Sequence, residues 1–310
     1  GLFVAAVLLP LQIQFPSDRQ GPEHRVLFYE EGIAATTKVF IDPETHDKAM
    51  SVDGIVIGGT GQTDFKQQVL AHLPKLLLET YENELSVGLG SAILLGESGR
   101  HPALKRLVCV EIAPSVIDGA SYFEAESYSV LKDPRVSLIQ DDITNFLRNG
   151  KETFDIISAD EKTAENYASN GLSYSIEYYH LLRSRLKDSG LVIQWIPSDV
   201  PDYAMVVNTF LSAFPRVSMW YFPPAGKMGS ISTFLVGSKS EIAIDFSRIR
   251  QRLKESPQSF SGLSKYGLDS AEAILSHYVG RDAALRASFA KARINSLEHP
   301  YYEFYSPADF

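Results

Sequence analysis

Two glycines and a glutamate stand where a chain of this kind could bind a nucleoside. Gly88 and Gly90 follow the apolar segment ELSV, and Glu111 ends a second apolar segment, RLVCVE. Glycines let the backbone turn tightly beside a ligand, and a following helix offers free N–H groups there. A carboxylate at Glu111 can accept hydrogen bonds from both ribose hydroxyls. Alone, each feature is equally typical of an ordinary strand end, a tight turn or a solvated charge.

Two more acidic sites follow later apolar segments. Asp141 and Asp142 come directly after RVSLIQ, and Asp160 comes after FDIISA. We expect Asp141 to accept a hydrogen bond from an adenine amino group and Asp142 to cap the next helix. Asp160 is the candidate base that takes the proton of an attacking nucleophile. The alternative for Asp160 is a loop carboxylate without a catalytic part.

Composition and spacing exclude several other classes of protein. The net charge is −9 with no long basic run, so a nucleic-acid partner is not expected. The seven histidines have no metal-ligand spacing, so no metal site is expected. The single cysteine cannot form an intrachain disulfide. A dinucleotide fingerprint would place a third glycine at position 93, which is Ile93. A nicotinamide oxidoreductase is therefore disfavoured, and Asp141 argues against it too.

The elements that must position these residues alternate between strand and helix. Five such alternations from Glu84 onward predict a doubly wound, largely parallel sheet, and ligands bind beyond the carboxyl ends of its strands. Two closing strands, RVSMWYF and SISTFLVGS, predict an antiparallel hairpin. The expected fold class is α/β, a class I methyltransferase-like (Rossmann-like) sheet. We predict a small N-terminal β domain at 1–61, the catalytic domain at 62–240, and a helical C-terminal extension at 241–310.

Six segments in order resemble motifs of the spermidine/spermine synthase family of polyamine aminopropyltransferases. They are QQVLAHLP, VGLGSAILLG, VEIAPSVID, DPRVSLIQDD, FDIISAD and GLVIQW. The segments YEEG and INSLEHPYYEF further resemble the bacterial spermidine-synthase-like proteins, many of which carry this domain behind transmembrane helices. The resemblance implies an enzyme that uses S-adenosylmethionine or its decarboxylated form and releases S-adenosylhomocysteine or methylthioadenosine. It implies cofactor contacts by Gln67 and Ser91, and a substrate contact by Gln194.

The same resemblance exposes departures around the acceptor. The aspartate of the family's glycine loop falls on Ser91, and the tyrosine before the helix glutamine falls on Lys66. The second, amine-binding aspartate falls on Thr163, next to Lys162, and a hairpin tyrosine falls on or near Lys227. Lysines would repel a polyamine cation. We therefore expect a spermidine-synthase-like transferase that does not use putrescine. If two of these lysines point inward, the pocket beside Asp160 is cationic and favours an acceptor with an anionic group. The alternative is that the lysines reach solvent and only cover apolar surface with their stems.

The residues alone do not decide the role of the N-terminal segment, the partners of the chain or its activity. The apolar run at 1–11 is either the end of a membrane span or a first strand. We expect a cytoplasmic protein, which in the first case would be associated with a membrane through an N-terminal region. The expected partners are a small-molecule substrate and a second copy of the chain in a homodimer. The alternative function is a catalytically silent, adenosyl-binding domain of a membrane-associated protein.

Overall fold

The structure is a computed structural model that describes residues 24–160, 170–197, 202–223 and 232–303. The N-terminal apolar run and the predicted substrate residues Lys162, Thr163 and Lys227 lie outside these ranges. Within them, no helix has both the length and the apolar character that a membrane crossing requires.

The first four strands form an antiparallel sheet in the order in which they follow one another along the chain. They are β1 (Arg25–Glu31), β2 (Thr36–Ile41), β3 (Lys48–Val52) and β4 (Ile55–Gly59). Asp53 and Gly54 join β3 to β4 with φ of +49° and +80°. Positive φ at both central residues is the requirement of a type I′ turn, for which Asp-Gly is a preferred pair. The predicted small N-terminal β domain is confirmed as an antiparallel sheet over residues 25–59.

Helices and strands then alternate through the central part of the chain. Gly61–Asp64 forms a 3-10 turn into the first helix, α1, which runs through Pro74 without ending there. The elements are α1 (Phe65–Leu77), β5 (Asn83–Val87), α2 (Ile93–Gly99), β6 (Arg106–Glu111), α3 (Pro114–Ala120), β7 (Val136–Gln140), α4 (Ile143–Asn149), β8 (Phe154–Ala159), α5 (Asn170–Ser173), α6 (Ile176–Ser184), β9 (Leu186–Pro197), α7 (Tyr203–Ala213), β10 (Arg216–Phe222) and β11 (Ser232–Ser238).

The last part of the chain contributes more than the predicted helices. It contains α8 (Phe246–Glu255), α9 (Ser261–Ser264), α10 (Ala271–Leu275), β12 (Tyr278–Arg281) and α11 (Asp282–Phe289). Strand β12 pairs antiparallel with β10 and so joins the main sheet. The prediction of a helical extension was therefore incomplete, because a four-residue strand is too short to show a clear alternation.

The main sheet has eight strands in the order β12-β10-β11-β9-β8-β5-β6-β7. The strands from β9 to β7 are parallel, and the β10–β11 hairpin pairs antiparallel with β9. This confirms the doubly wound sheet closed by an antiparallel hairpin. The carboxyl ends of β5, β6, β7 and β8 lie at one edge, and β5, at the centre, has later strands on both sides. The predicted ligand residues follow these strands.

Strand β9 begins earlier than the sequence indicated. The segment RLKD directly follows α6 and has no strand-like apolar pattern, but its Leu186 already pairs with Phe154 of β8. Lys187 donates a hydrogen bond to Asp155 at 2.8 Å. The polar stretch after Leu186 hides the strand because this part lies at the solvated end of the sheet, where an ion pair replaces apolar packing.

Candidate active site

The glycine turn after β5 has the backbone conformation that its sequence requires. Gly88 and Gly90 have φ of +81° and +50°, in the left-handed region that glycine adopts without strain. A Cβ placed on Gly88 would lie 3.6 Å from the carbonyl oxygen of Asp160 and 4.0 Å from Oε2 of Glu111. Three residues that sequence placed after three different strands therefore meet at one turn.

Glu111 is a buried carboxylate and not a solvated charge. Its residue is 8% exposed. Oε2 accepts a hydrogen bond from the Leu89 N–H at 2.9 Å, and Oε1 accepts one from the Ala113 N–H at 2.9 Å. Each carboxylate oxygen has a second lone pair, so both can accept a further hydrogen bond. The geometry fits the predicted ribose contact, which stays a prediction.

The two aspartates after β7 have different surroundings. Asp142 accepts hydrogen bonds from the backbone N–H groups of Thr144 and Asn145 at 2.8 and 3.1 Å, which makes it the N-cap of α4, as predicted. Asp141 is half-buried, and its Oδ1 accepts from the Asp142 N–H at 2.8 Å. Its own N–H donates to the Glu111 carbonyl at 3.1 Å. Asp141 thus sits beside Glu111, and its adenine contact stays a prediction.

Gln67 and Ser91 lie together under the end of β4. A Cβ on Gly58 would be 2.7 Å from the Gln67 amide and 3.2 Å from Ser91 Oγ. The orientation of the Gln67 amide that satisfies its surroundings donates to the carbonyls of Thr63 and Asp64 at 2.8 and 3.1 Å. Gly58 could not be found from the sequence, because the sequence alone does not show that β4 covers the glycine turn.

The Ser91 hydroxyl is a buried polar group that the described residues leave unsatisfied. The residue is 2% exposed, and its Oγ has no hydrogen-bond partner within the described ranges. An orphaned polar atom in a native interior is unusual. Its place beside the glycine turn fits a hydrogen bond to a polar group of a bound ligand.

Lys66 and Asp160 form an ion pair at the carboxyl end of β8. Lys66 Nζ is 2.7 Å from Asp160 Oδ1, and the two side chains are 16% and 15% exposed. The same ammonium lies 4.4 Å from the ring centroid of Trp195. The sequence allowed for an inward-pointing lysine beside Asp160 but did not show which lysine it is, and it gave no sign of the part of Trp195. The QW motif contained the tryptophan, and only the register of β9 beside β8 shows where its ring lies.

Gln194, the predicted substrate residue, is not brought beside Lys66. It is 1% exposed, and among the described residues its Oε1 has no hydrogen-bond partner. Adjacent residues of a strand point to opposite faces. Trp195 packs with the cluster on the α1 face, while Ile196 packs with the cluster on the other face. Gln194 therefore points away from the Lys66 face, and its substrate contact stays a prediction.

The residues around the glycine turn fit an S-adenosyl group. They supply a turn open to a ligand, the buried acceptors of Glu111, the half-buried Asp141 and the unsatisfied hydroxyl of Ser91. The backbone carbonyl of Asp160 lies next to the turn, and its carboxylate pairs with Lys66.

Comparison with known proteins agrees with this arrangement. The spermine/spermidine synthase domain matches residues 63–213, which include every predicted site residue that the structure describes. This match covers just under half of the chain and supports the resemblance to the spermidine/spermine synthase family.

Curated relatives of the chain carry the name polyamine aminopropyltransferase. Polyamine aminopropyltransferase 1 of Pseudomonas aeruginosa is 25% identical over 215 residues, which cover 67% of this chain and 74% of that one. A relative from Leptospira biflexa is 24% identical and covers 69% of this chain and 78% of its own. One from Buchnera aphidicola of Schizaphis graminum is 29% identical over 47% of this chain and 51% of its own.

Solved structures of spermidine synthases share the fold. The enzyme from Thermotoga maritima superposes with a TM-score of 0.70 at 16% identity, over 86% of this chain and 87% of that one. A spermidine synthase in complex with the transition state analogue AdoDATO gives a TM-score of 0.69 at 16% identity. These likenesses confirm the methyltransferase-like α/β fold.

Proposed function

We propose that the chain is an S-adenosyl-dependent transferase of the aminopropyltransferase type, in which Asp160 activates the attacking amine. The observation that carries the proposal is the meeting of Asp160, Glu111 and Gly88 at one turn. The names of the curated relatives support the same reaction class.

Each residue would have a separate task in this reaction. The adenosyl sulfonium supplies an electrophilic carbon when bound. Glu111 would hold the ribose and Asp141 the adenine amine. An alkylamine has a pKa of about 10 and attacks only when unprotonated, so a carboxylate beside it is needed to take the proton. Asp160 would accept that proton, and it returns to solvent after the product leaves.

The donor is decided at the tail of the cofactor. Decarboxylated S-adenosylmethionine ends in an ammonium, which pairs best with a carboxylate, and this chain has Ser91 where the family has aspartate. The intact form also carries a carboxylate, which a hydroxyl and backbone N–H groups can bind. We propose that the chain binds the intact form more tightly. The transferred group would then be either methyl or 3-amino-3-carboxypropyl.

The acceptor is proposed to be an amine that also carries an anionic group. Lys66 brings a positive charge to within 2.7 Å of the candidate base. A polyamine has several positive charges and would be repelled there. An amine with a carboxylate, such as an amino acid, could give its ammonium to Asp160 and its carboxylate to Lys66.

The experiment combines two donors with two acceptors. Intact and decarboxylated S-adenosylmethionine are each incubated with putrescine and with 4-aminobutanoate, and release of the adenosyl product is followed by chromatography. We expect turnover with the carboxylated amine and negligible turnover with putrescine. Asp160→Asn should abolish transfer and leave methylthioadenosine binding, measured by calorimetry, within twofold of the unaltered chain. Efficient putrescine aminopropylation would overturn the proposed acceptor, and full turnover by Asp160→Asn would overturn the proposed base.

A catalytically silent adenosyl-binding domain is the second candidate. The observation that favours it is the Lys66–Asp160 ion pair, since a carboxylate held by an ammonium is a poor proton acceptor. This function predicts methylthioadenosine binding without product release from any donor and acceptor pair. Release with any acceptor rejects it.

A further inference from the structure

The environment of Lys66 is that of a bound cation and not of a solvated surface lysine. Its ammonium touches the Asp160 carboxylate at 2.7 Å and lies 4.4 Å from the centroid of the Trp195 ring. Both charged side chains are largely covered, at 16% and 15% exposure. A carboxylate and an aromatic face are two independent attractions for an ammonium. Together they make a cation site, formed by Asp160 and Trp195, that this chain fills with its own side chain.

The group in that site is chemically the same as a substrate amine. A lysine side chain ends in a primary alkylammonium, as do simple aliphatic amines and diamines. If Asp160 is the base of the proposed function, the place beside its carboxylate is also where the acceptor's ammonium must arrive. We propose that Lys66 is a specificity-determining residue whose ammonium occupies the acceptor-amine site and excludes simple alkylamines.

Tethering gives Lys66 a large advantage over a free amine. A group attached by a short linker competes at an effective concentration on the order of millimolar. A simple amine must therefore displace an occupant that never diffuses away. Removal of the lysine ammonium leaves the carboxylate and the ring without a partner, so a free alkylammonium can take its place.

The inference rests on the proposed role of Asp160, and the experiment separates the two. Calorimetry with the full chain, in the presence of methylthioadenosine, measures the binding of n-butylamine and of putrescine. Lys66→Ala empties the site, Lys66→Arg keeps a cation as the matched control, and Lys66→Ala with Asp160→Asn removes the carboxylate. Circular dichroism and the thermal midpoint verify that each variant is folded.

We expect Lys66→Ala to bind both amines at least tenfold more tightly than the unaltered chain and Lys66→Arg. The gain should disappear when Asp160→Asn is added. Equal amine binding by folded Lys66→Ala and the unaltered chain would overturn the inference, as would a gain that survives Asp160→Asn. Methylthioadenosine affinity, measured for each variant in a separate titration without amine, reports on the adenosyl site alone. If no variant binds methylthioadenosine, the proposed function is rejected. If methylthioadenosine binds but Lys66→Ala does not bind amines more tightly, only the role of Lys66 is rejected.

Discussion

Glu111 accepts hydrogen bonds from two backbone N–H groups, one in the glycine turn and one in the segment leading to α3. This fixes its carboxylate at the carboxyl end of β6 before any ligand arrives. A hydrogen bond to a charged group contributes about 1.5–3 kcal/mol. A preorganised acceptor loses little conformational entropy on binding. The affinity for a nucleoside should therefore depend strongly on this one side chain.

We expect Glu111→Gln to weaken methylthioadenosine binding by about tenfold or more, which corresponds to about 1.4 kcal/mol. Calorimetry measures the affinity, and chemical denaturation measures the structural cost of the change. Glu152→Gln is the control, because Glu152 pairs with Arg106 at the opposite end of the same strand. Unchanged affinity in a folded Glu111→Gln variant would contradict the adenosyl site.

A residue of the site could be predicted from the sequence where the end of its strand could be predicted. Gly88, Glu111 and Asp160 each follow an apolar segment, and parallel strands bring such positions to one edge. The Lys66–Asp160 pair was not predictable from the residues, because it depends on how α1 crosses the sheet. Trp195 was missed because a shift of one residue in register would have placed its ring on the other face.

Helix α1 carries Lys66 and Gln67 and is fixed to the sheet by a buried ion pair. Lys75 Nζ is 2.5 Å from Glu84 Oε2 of β5, and both side chains are 0% exposed. Ser98 and Ser158 also hydrogen-bond Glu84. Burial lowers the pKa of Lys75, and the charge of Glu84 opposes that effect. The pair fixes the position of the helix along the sheet and therefore the position of Lys66 beside Asp160.

We expect Lys75→Met to lower the free energy of unfolding by about 3–5 kcal/mol, because it leaves Glu84 buried without a cation. Adding Glu84→Gln should recover part of that loss. Urea denaturation measures both. Lys105→Met, which removes an exposed pair with Glu82, is the control and should change stability by at most about 1 kcal/mol. A Lys75→Met variant as stable as this control would contradict the role of the pair.

The elements that sequence predicted best were those with a clear apolar period. The parallel strand β6 contains a continuous apolar run, as strands buried on both faces do, and β8 is mostly apolar. The start of β9 and the whole of β12 were missed for the opposite reason. Their residues are polar or partly exposed, and their pairing with β8 and β10 is a tertiary effect that no local pattern records.

A buried polar network connects α1 with α2, and Phe260 of the C-terminal extension packs against both of its histidines. His72 Nδ1 is 2.9 Å from His101 Nε2, and His72 Nε2 is 3.4 Å from Glu97 Oε2. Burial lowers the pKa of both histidines. Burial alone would raise the pKa of Glu97, but hydrogen bonds from His72, Gln68 and Arg100 lower it to about 2. Neutral histidines satisfy the network if His101 Nε2–H donates to His72 Nδ1 and His72 Nε2–H donates to the Glu97 carboxylate.

This network makes stability depend on pH. Below the ordinary histidine pKa of 6.5, the unfolded chain takes up protons that the folded chain does not, so stability falls as pH falls. The slope should approach about 1.4 kcal/mol per pH unit for each histidine. Glu97 stays ionised throughout this window, and its contribution is lost only as the pH falls from 4.5 towards 2. We expect His101→Gln to reduce the slope between pH 6.5 and 5.5, measured by urea denaturation. An equal slope in the two proteins would contradict this.

The C-terminal extension also packs directly on α1. A Cβ on Gly262 would lie 2.6 Å from Cδ of Gln68, which is fully buried. Tyr266 and Lys265 donate hydrogen bonds to Asp64, just before α1. We expect Gly262→Ala to destabilise the fold by about 1–3 kcal/mol through overpacking. The same change in a Gln68→Ala background should cost far less, and equal costs in the two backgrounds, measured by thermal unfolding, would contradict the contact.

Strand β12 forms one edge of the main sheet. It covers the outer side of β10, where Trp220 is fully buried and its ring centroid lies 5.3 Å from that of Tyr278. An uncovered strand of this kind presents a row of free N–H and C=O groups, onto which another chain can add a strand. A chain that ends near residue 240 would lose this cover. Its solutions should scatter light at concentrations where the 310-residue chain stays clear.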